Sequence, residues 1–479
     1  MMIHYVRKLV RSLRGLAWWR WDTQRKIAFT INMSMGIIVA VAFHFLVHRQ
    51  FMEGLFNVTI DKMVQQETST FLKSWQRCAG QGAASEACER VRARKAGNIA
   101  FIDIDSATFV KWGEPPLLPR DKIAQFLRVA EKNGAAVVAL DILLDQRSSN
   151  YQEDAELRRA LVDLTDRKSN LKIIFPVNKS RVDNRVMRNV FDDLIDKNPN
   201  FHRSIPYLSA SRTDRVVRYV RYYDVARTKS GQKIVLWGVP ILSTALFFDD
   251  LGKLRSLEHT ILGETAGRKT GPHSIRFAHH DKIEIENNEL FSNRIRFALL
   301  PPGTLESEGN LFTERILPDE LIPMQKLLKD RIVVIGSSDP DKEEWHPTPI
   351  GDMPGMYIIG NAINMLSAGW QIRDVPLWLG VLIQLLVIFI AAYLFASLSP
   401  SVARVAVTLF AILLLIPVTY YFYASHGIFV NSVLLFVNSL IPVLAMGWHR
   451  ILKVAKVLML RKRTGDNIAT TAPKGEAGA

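Results

Sequence analysis

The sequence predicts an α/β domain with a mainly parallel sheet flanked by helices and an antiparallel hairpin insertion. One N-terminal and three C-terminal transmembrane helices anchor it. Two observations lead to this. The stretches 27–47, 377–396, 405–424 and 428–448 contain no Asp, Glu, Lys or Arg, and each is near the ~20 residues that cross a hydrocarbon core as a helix. From residue 98 onward, apolar runs of strand length alternate with segments of helical spacing.

The flanks of the apolar stretches set their orientation. Residues 1–26 carry Arg7, Lys8, Arg11, Arg14, Arg20, Arg25 and Lys26 against Asp22 alone, and residues 449–479 are similarly basic. Cationic flanks stay on the cytoplasmic side, which an even number of crossings allows, so 48–376 is expected outside. Most of the formal net charge of +15 lies in these flanks. The charge therefore reflects topology and contact with membrane lipid, and it predicts no nucleic-acid partner. A cleaved signal peptide is the competing reading of 27–47, but no small-x-small site follows Val47. The aromatic cluster Trp18, Trp19 and Trp21 suits the headgroup layer.

The chain has two cysteines, Cys78 and Cys88, both in the segment placed outside. An oxidising compartment makes a disulfide the expectation. A zinc site would need four ligands, and no histidine lies nearby.

In the external segment, NIAFIDID (98–105) reads as a buried strand ending in carboxylates. In 120–134, Ile123, Phe126, Leu127 and Ala130 share one helical face up to Gly134. A second strand is expected at 135–144. A helix then carries Leu157, Ala160, Leu161 and Leu164, and a third strand falls at 171–177. This alternation predicts parallel pairing with helical crossovers. Residues 331–338 supply another continuous apolar strand and 356–369 a helix, both expected to re-enter the same sheet. Between them, 216–225 and 232–239 read as a hairpin, with further short strands at 282–286 and 294–301. Residues 178–215 and 249–281 show no firm period.

These residues resemble the second class of the CHASE family, the cyclase/histidine-kinase-associated sensory extracellular domains. The resemblance is carried by Ile102-Asp103, Pro119-Arg120 and Leu140-Asp141-Ile142-Leu143, then by Asp214-Arg215-Val216-Val217-Arg218. It closes with Ile335-Gly336, Thr348-Pro349, Pro354-Gly355 and Asn361-Ala362. Glu114-Pro115-Pro116-Leu117-Leu118 departs from the family's aromatic approach to the Pro-Arg pair, and Tyr357 and Ile359 depart from its helix. The resemblance implies a sensory domain followed by three C-terminal spans; with the orientation set by the cationic flanks, the expectation is a multi-pass protein of a bacterial inner membrane with both termini cytoplasmic and the domain periplasmic. Family members commonly continue into a catalytic domain, whereas 449–479 is too short for one, so no fused output and no enzymatic activity are expected.

Candidate ligand-binding residues are Asp103, Asp105 and Asp141, Arg120 of the Pro-Arg pair, and Asp339 after the 331–338 run. The carboxylates sit at expected strand ends, where open α/β sheets bind ligands. The bland reading is that they cap loops. Asp339 opens an acidic cluster with Asp341, Glu343, Glu344 and His346, for which a solvated turn is the alternative. Asp103 and Asp105 also resemble the opening of haloacid-dehalogenase-type phosphohydrolases, but Ala107 stands where Thr or Val is wanted and no completing lysine is evident. No catalytic or metal site is assigned.

Output is expected through a separate cytoplasmic or membrane protein partner docking on Arg450, Lys453, Lys456, Arg461, Lys462 and Arg463. The protein is expected to be a homodimer or higher oligomer. The alternative function is a scaffold or subunit of an envelope protein complex.

Overall fold

The computed structural model describes residues 22–46, 57–70, 73, 98–206, 208–211, 214–264, 273–277, 283–285, 293–298, 314–339 and 345–429. These fall into two compact units, one made of the chain's two ends and the other of Asn57–Asp374.

In the first unit, the helix Thr23–Leu46 packs on the helix Leu377–Ser397. Gly36 permits the approach, since a methyl there would meet Ile388 Cγ2 at 2.5 Å, and the rings of Phe29 and Phe389 stand edge to face at 5.6 Å. Ala391 and Phe395 then pack on Ala403 and Val407 of the next helix. That helix runs from Pro400 to His426 through a π-helical turn at Ala411–Leu415. The wider turn lies just ahead of Pro417, whose ring would otherwise clash with the preceding turn. Thr419 Oγ1 donates to the Leu415 carbonyl at 2.7 Å. Among the described residues, Trp378–Ser397 and Ser401–His426 are long and apolar enough to cross a membrane. The fourth expected stretch beyond Phe429 lies outside the described residues. So do the Cys78–Cys88 pair, the acids Asp341, Glu343 and Glu344, and the basic segment 450–463.

The second unit is built on six parallel strands: β1 (Ile99–Ile104), β2 (Val137–Leu140), β3 (Lys172–Pro176), β4 (Phe201–Ser204), β5 (Glu314–Ile316) and β6 (Ile332–Ser337). Their order is β5-β1-β6-β2-β3-β4. The C-terminal strand β6 thus slots between β1 and β2. Both neighbours of β6 are buried on two faces, which is why these strands are continuous apolar runs.

Alternation along each strand sends side chains to two helical layers. Ile102, Ile104, Leu140 and Ile335 face the helices Arg120–Lys132 and Tyr151–Asp166, packing with Ile123, Phe126, Leu127, Leu157 and Leu161. Each of these fully buried side chains contributes about 1.5–3 kcal/mol. The opposite face carries the helices Val239–Phe247 and Gly355–Ser367. There Phe101 stacks on Tyr357 with ring centroids 4.7 Å apart, and Gly360 lies so close that a methyl would meet Phe101 Cζ at 2.3 Å.

Antiparallel pairs decorate this frame, and the expectations at 216–225, 294–301 and 135–144 are corrected. The expected strand 216–225 breaks at Arg221-Tyr222: Val217–Val220 pairs with Leu208–Ala210, and Tyr223–Arg227 forms the hairpin with Lys233–Trp237. Ile283–Ile285 pairs with His273–Ile275. Residues 293–298 form no strand, only a single bridge between Arg294 and Tyr219. The expected span 135–144 is a strand only as far as Leu140.

Candidate functional site

A cavity of about 440 Å³ opens at the C-terminal edge of the sheet. Its floor comes from the residues that follow or end β2, β3 and β6, namely Asp141, Ile142, Leu143, Pro176 and Ser337. Phe109, Pro115, Pro116, Leu117 and Leu118 form one wall and Arg120 opens the helix behind it. His346, Gly355 and Ile359 close the other side. The Pro115 wall is aimed by Gly113 and Glu114, both with positive φ (81° and 50°). They turn the chain sharply out of the helix Ser106–Lys111.

Two of the five residues singled out from sequence line this cavity, Arg120 and Asp141. Arg120 is almost fully buried at the first turn of its helix. Its Nη2 donates to the Gln146 carbonyl at 3.3 Å, and its Nε lies 3.9 Å from Asp154 Oδ1. Its backbone N–H donates to Glu153 Oε2 at 3.2 Å. Burial lowers the Arg120 pKa, while Asp154, Glu153 and Asp145 act in the opposite direction. Arginine stays charged in any protein setting, so Arg120 is a cation already ringed by acids.

Asp141 is different. It follows the Leu140–Ile335 register, and its N–H donates to the Ile335 carbonyl at 2.7 Å. That puts it beside Gly336, whose other neighbour in register is Asp103. Glycine keeps this middle position uncrowded, since a methyl on Gly336 would lie 3.0 Å from Met356 Cβ and 3.1 Å from Asp141 Cβ. No described side chain bonds or pairs with the Asp141 carboxylate, and burial pushes its pKa up to about 6.

The remaining three residues meet local backbone and side-chain partners. Asp103 is fully buried beneath the Gly355 helix and accepts the Tyr357 hydroxyl at 3.0 Å. Asp105 caps the Ser106 helix, accepting the Thr108 N–H at 2.9 Å. Asp339 accepts the Ser106 hydroxyl at 2.8 Å, and its N–H donates to Ser337 Oγ, which in turn donates to the Ile104 carbonyl. These bonds tie the end of β6 to the end of β1. Ser337 lines the cavity, whereas Asp103, Asp105 and Asp339 lie off its lining. His346 does line the cavity, and burial holds its imidazole below the usual range, which keeps it neutral at neutral pH.

A second cluster gathers around the Asp214-x-x-x-Arg218 element. Arg218 donates to both Asp61 and Asp214, the shortest contacts being 2.6 and 2.7 Å. Burial works against the Arg218 charge, but the two carboxylates outweigh it and raise its pKa. Arg294 bonds the same Asp61 at 2.5 Å and Asn57 at 2.9 Å, with its guanidinium 5.4 Å from the centre of the Tyr219 ring. Arg296 bonds both Glu67 and the Trp370 carbonyl. The helix over residues 57–70 is thereby held to the domain by three arginines. Sequence reading noted Asp214 and Arg218 but not Asp61, whose partners lie far along the chain.

One chain thus carries a parallel α/β domain with a cavity at the carboxyl edge of its sheet and, among the described residues, two helices long and apolar enough to cross a membrane. The profile of the CHASE2 domain matches residues 38–394, and the chain belongs to this family of sensory extracellular domains. No curated protein and no solved structure matches the chain.

Proposed function

We propose that this chain is a bacterial inner-membrane sensor whose external domain binds a small solute in the cavity at the sheet's carboxyl edge and relays occupancy to a separate protein. The observation that carries this reading is the cavity itself. It is largely apolar with a few convergent polar groups, and its volume falls in the range of small-molecule sites. Its position also matches the crevice beyond the strand ends where α/β sheets hold ligands. In this reading four helices cross the membrane, both termini are cytoplasmic and the domain is periplasmic.

Relay requires that binding energy differ between two states of the domain. The ion-paired helix 57–70 supports a route for it. This helix follows the N-terminal helix in sequence, and Arg296 bonds it to Trp370, near where the domain leads into Leu377–Ser397. The basic segment 450–463 would dock the partner, and the receptor would work as a dimer.

The test uses the full chain in lipid nanodiscs, screened against a library of small solutes by thermal shift. A ligand response that Leu143→Trp removes without lowering the unliganded melting temperature is expected. Stoichiometric recovery of a fixed partner with no ligand response would favour a scaffold instead.

A further inference from the structure

The cavity's charge balance says what kind of solute it takes, an inference that rests on the cavity being the binding site. Arg120 is the only arginine or lysine among the described lining residues, and Asp154, Glu153 and Asp145 already surround it. His346 contributes no charge at neutral pH. Asp141 is the lining group whose charge has no counterpart among the described side chains, and Asp103 on the far side of Gly336 adds a second carboxylate to the same row. An ionised carboxylate in a partly buried, apolar setting is costly until a cation joins it.

We propose that the cavity takes a small organic ammonium ion, with Asp141 as its counter-ion and the surrounding side chains covering an apolar body. A bare divalent cation fits less well, because it needs several oxygen ligands and Asp141 is the single carboxylate in the described lining. The apolar surface comes from Phe109, Leu117, Leu118, Ile142, Leu143 and Ile359. At about 30 Å³ per non-hydrogen atom, the liquid-water share, the volume admits roughly ten to fifteen such atoms. An anion would have to displace this balance. It would meet Asp141 directly, while the first N–H of the Arg120 helix is already taken by Glu153.

The test compares three probes of one shape and different charge, benzylammonium, benzyl alcohol and phenylacetate, by calorimetric titration of the full chain in nanodiscs at neutral pH. Benzylammonium should bind most tightly, with benzyl alcohol weaker by about 10- to 100-fold, the worth of a charge-assisted hydrogen bond, and phenylacetate weaker still. Asp141→Asn should erase the preference for the ammonium while leaving benzyl alcohol unchanged. Because the wild-type series carries the same information, a poorly folding variant would not obscure the result. Equal or tighter binding of phenylacetate, or an ammonium affinity untouched by Asp141→Asn, would overturn the ligand class. The cavity reading would survive that outcome if Leu143→Trp still removed binding. Binding of no probe would overturn the ammonium assignment, and binding that Leu143→Trp leaves intact would overturn both.

Discussion

Asp103 and Asp141 stand at the same level of the sheet on either side of Gly336, yet Asp103 is bonded to Tyr357 beneath a helix while Asp141 faces the cavity. One row of the sheet therefore holds a fully buried carboxylate and a partly buried one that faces the cavity, separated by a residue with no side chain. The spacing depends on that glycine. Gly336→Ala should destabilise the domain by about 1–3 kcal/mol, the usual cost of overpacking a filled site. Gly360→Ala, meeting the Phe101 ring at 2.3 Å, should cost more. Thermal unfolding of the two variants in nanodiscs checks the order.

Asp61 is shared by Arg218 and Arg294, both nearly fully buried. Asp61→Ala leaves two guanidiniums without that carboxylate and should cost about 3–5 kcal/mol. Asp214→Ala should cost less, because Asp214 is more exposed and Arg218 keeps Asp61. Chemical denaturation of the two variants measures the difference.

The Asp141 carboxyl has a pKa raised from 3.8 to about 6. The folded state then holds this proton more tightly than the unfolded state. Stability from this group falls as pH rises from about 4 to about 6 and is level above that. Asp141→Asn should raise the melting temperature at neutral pH, by about 1–3 kcal/mol of stability, and change it little at pH 4. The groups around Asp141 are Asp103 across Gly336, Arg120 and His346. Ammonium binding should weaken as pH falls below about 6. A substitution that stabilises the fold while removing binding marks a residue kept for function.

Topology and redox state are checked chemically. A cysteine replacing the exposed Lys229 should react with an impermeant reagent in intact spheroplasts, and one replacing Ser12 should not. Mass mapping without reductant should find Cys78 and Cys88 in one linked peptide, whereas two freely alkylated thiols would refute the pair.

The central strands were legible because burial on both faces makes them unbroken apolar runs, as in Ile99–Ile104 and Ile332–Ser337. The Arg120 and Gly355 helices were legible by spacing. What escaped were the edges. β4 (FHRS) and β5 (ERI) flank the sheet, are short and keep polar residues. The helix Leu251–Glu264 lay in a segment left unassigned, its only fully buried apolar residues being Leu254 and Ile261, two turns apart. At the site, strand ends located Asp103, Asp105, Asp141 and Asp339 correctly at one edge. Which of them faces open space depends on strand alternation meeting a particular helix. The apolar wall Pro115–Leu118 read only as a departure from the family pattern, although its place just before the Arg120 helix was a usable signal.

Hydrogen exchange of the full chain in nanodiscs, with and without saturating benzylammonium, tests the ligand site most directly. Slowed exchange confined to peptides covering 117–120, 141–144, 337–339 and 355–359 is the predicted result. Saturable binding with protection elsewhere, or with none at these four segments, would contradict it.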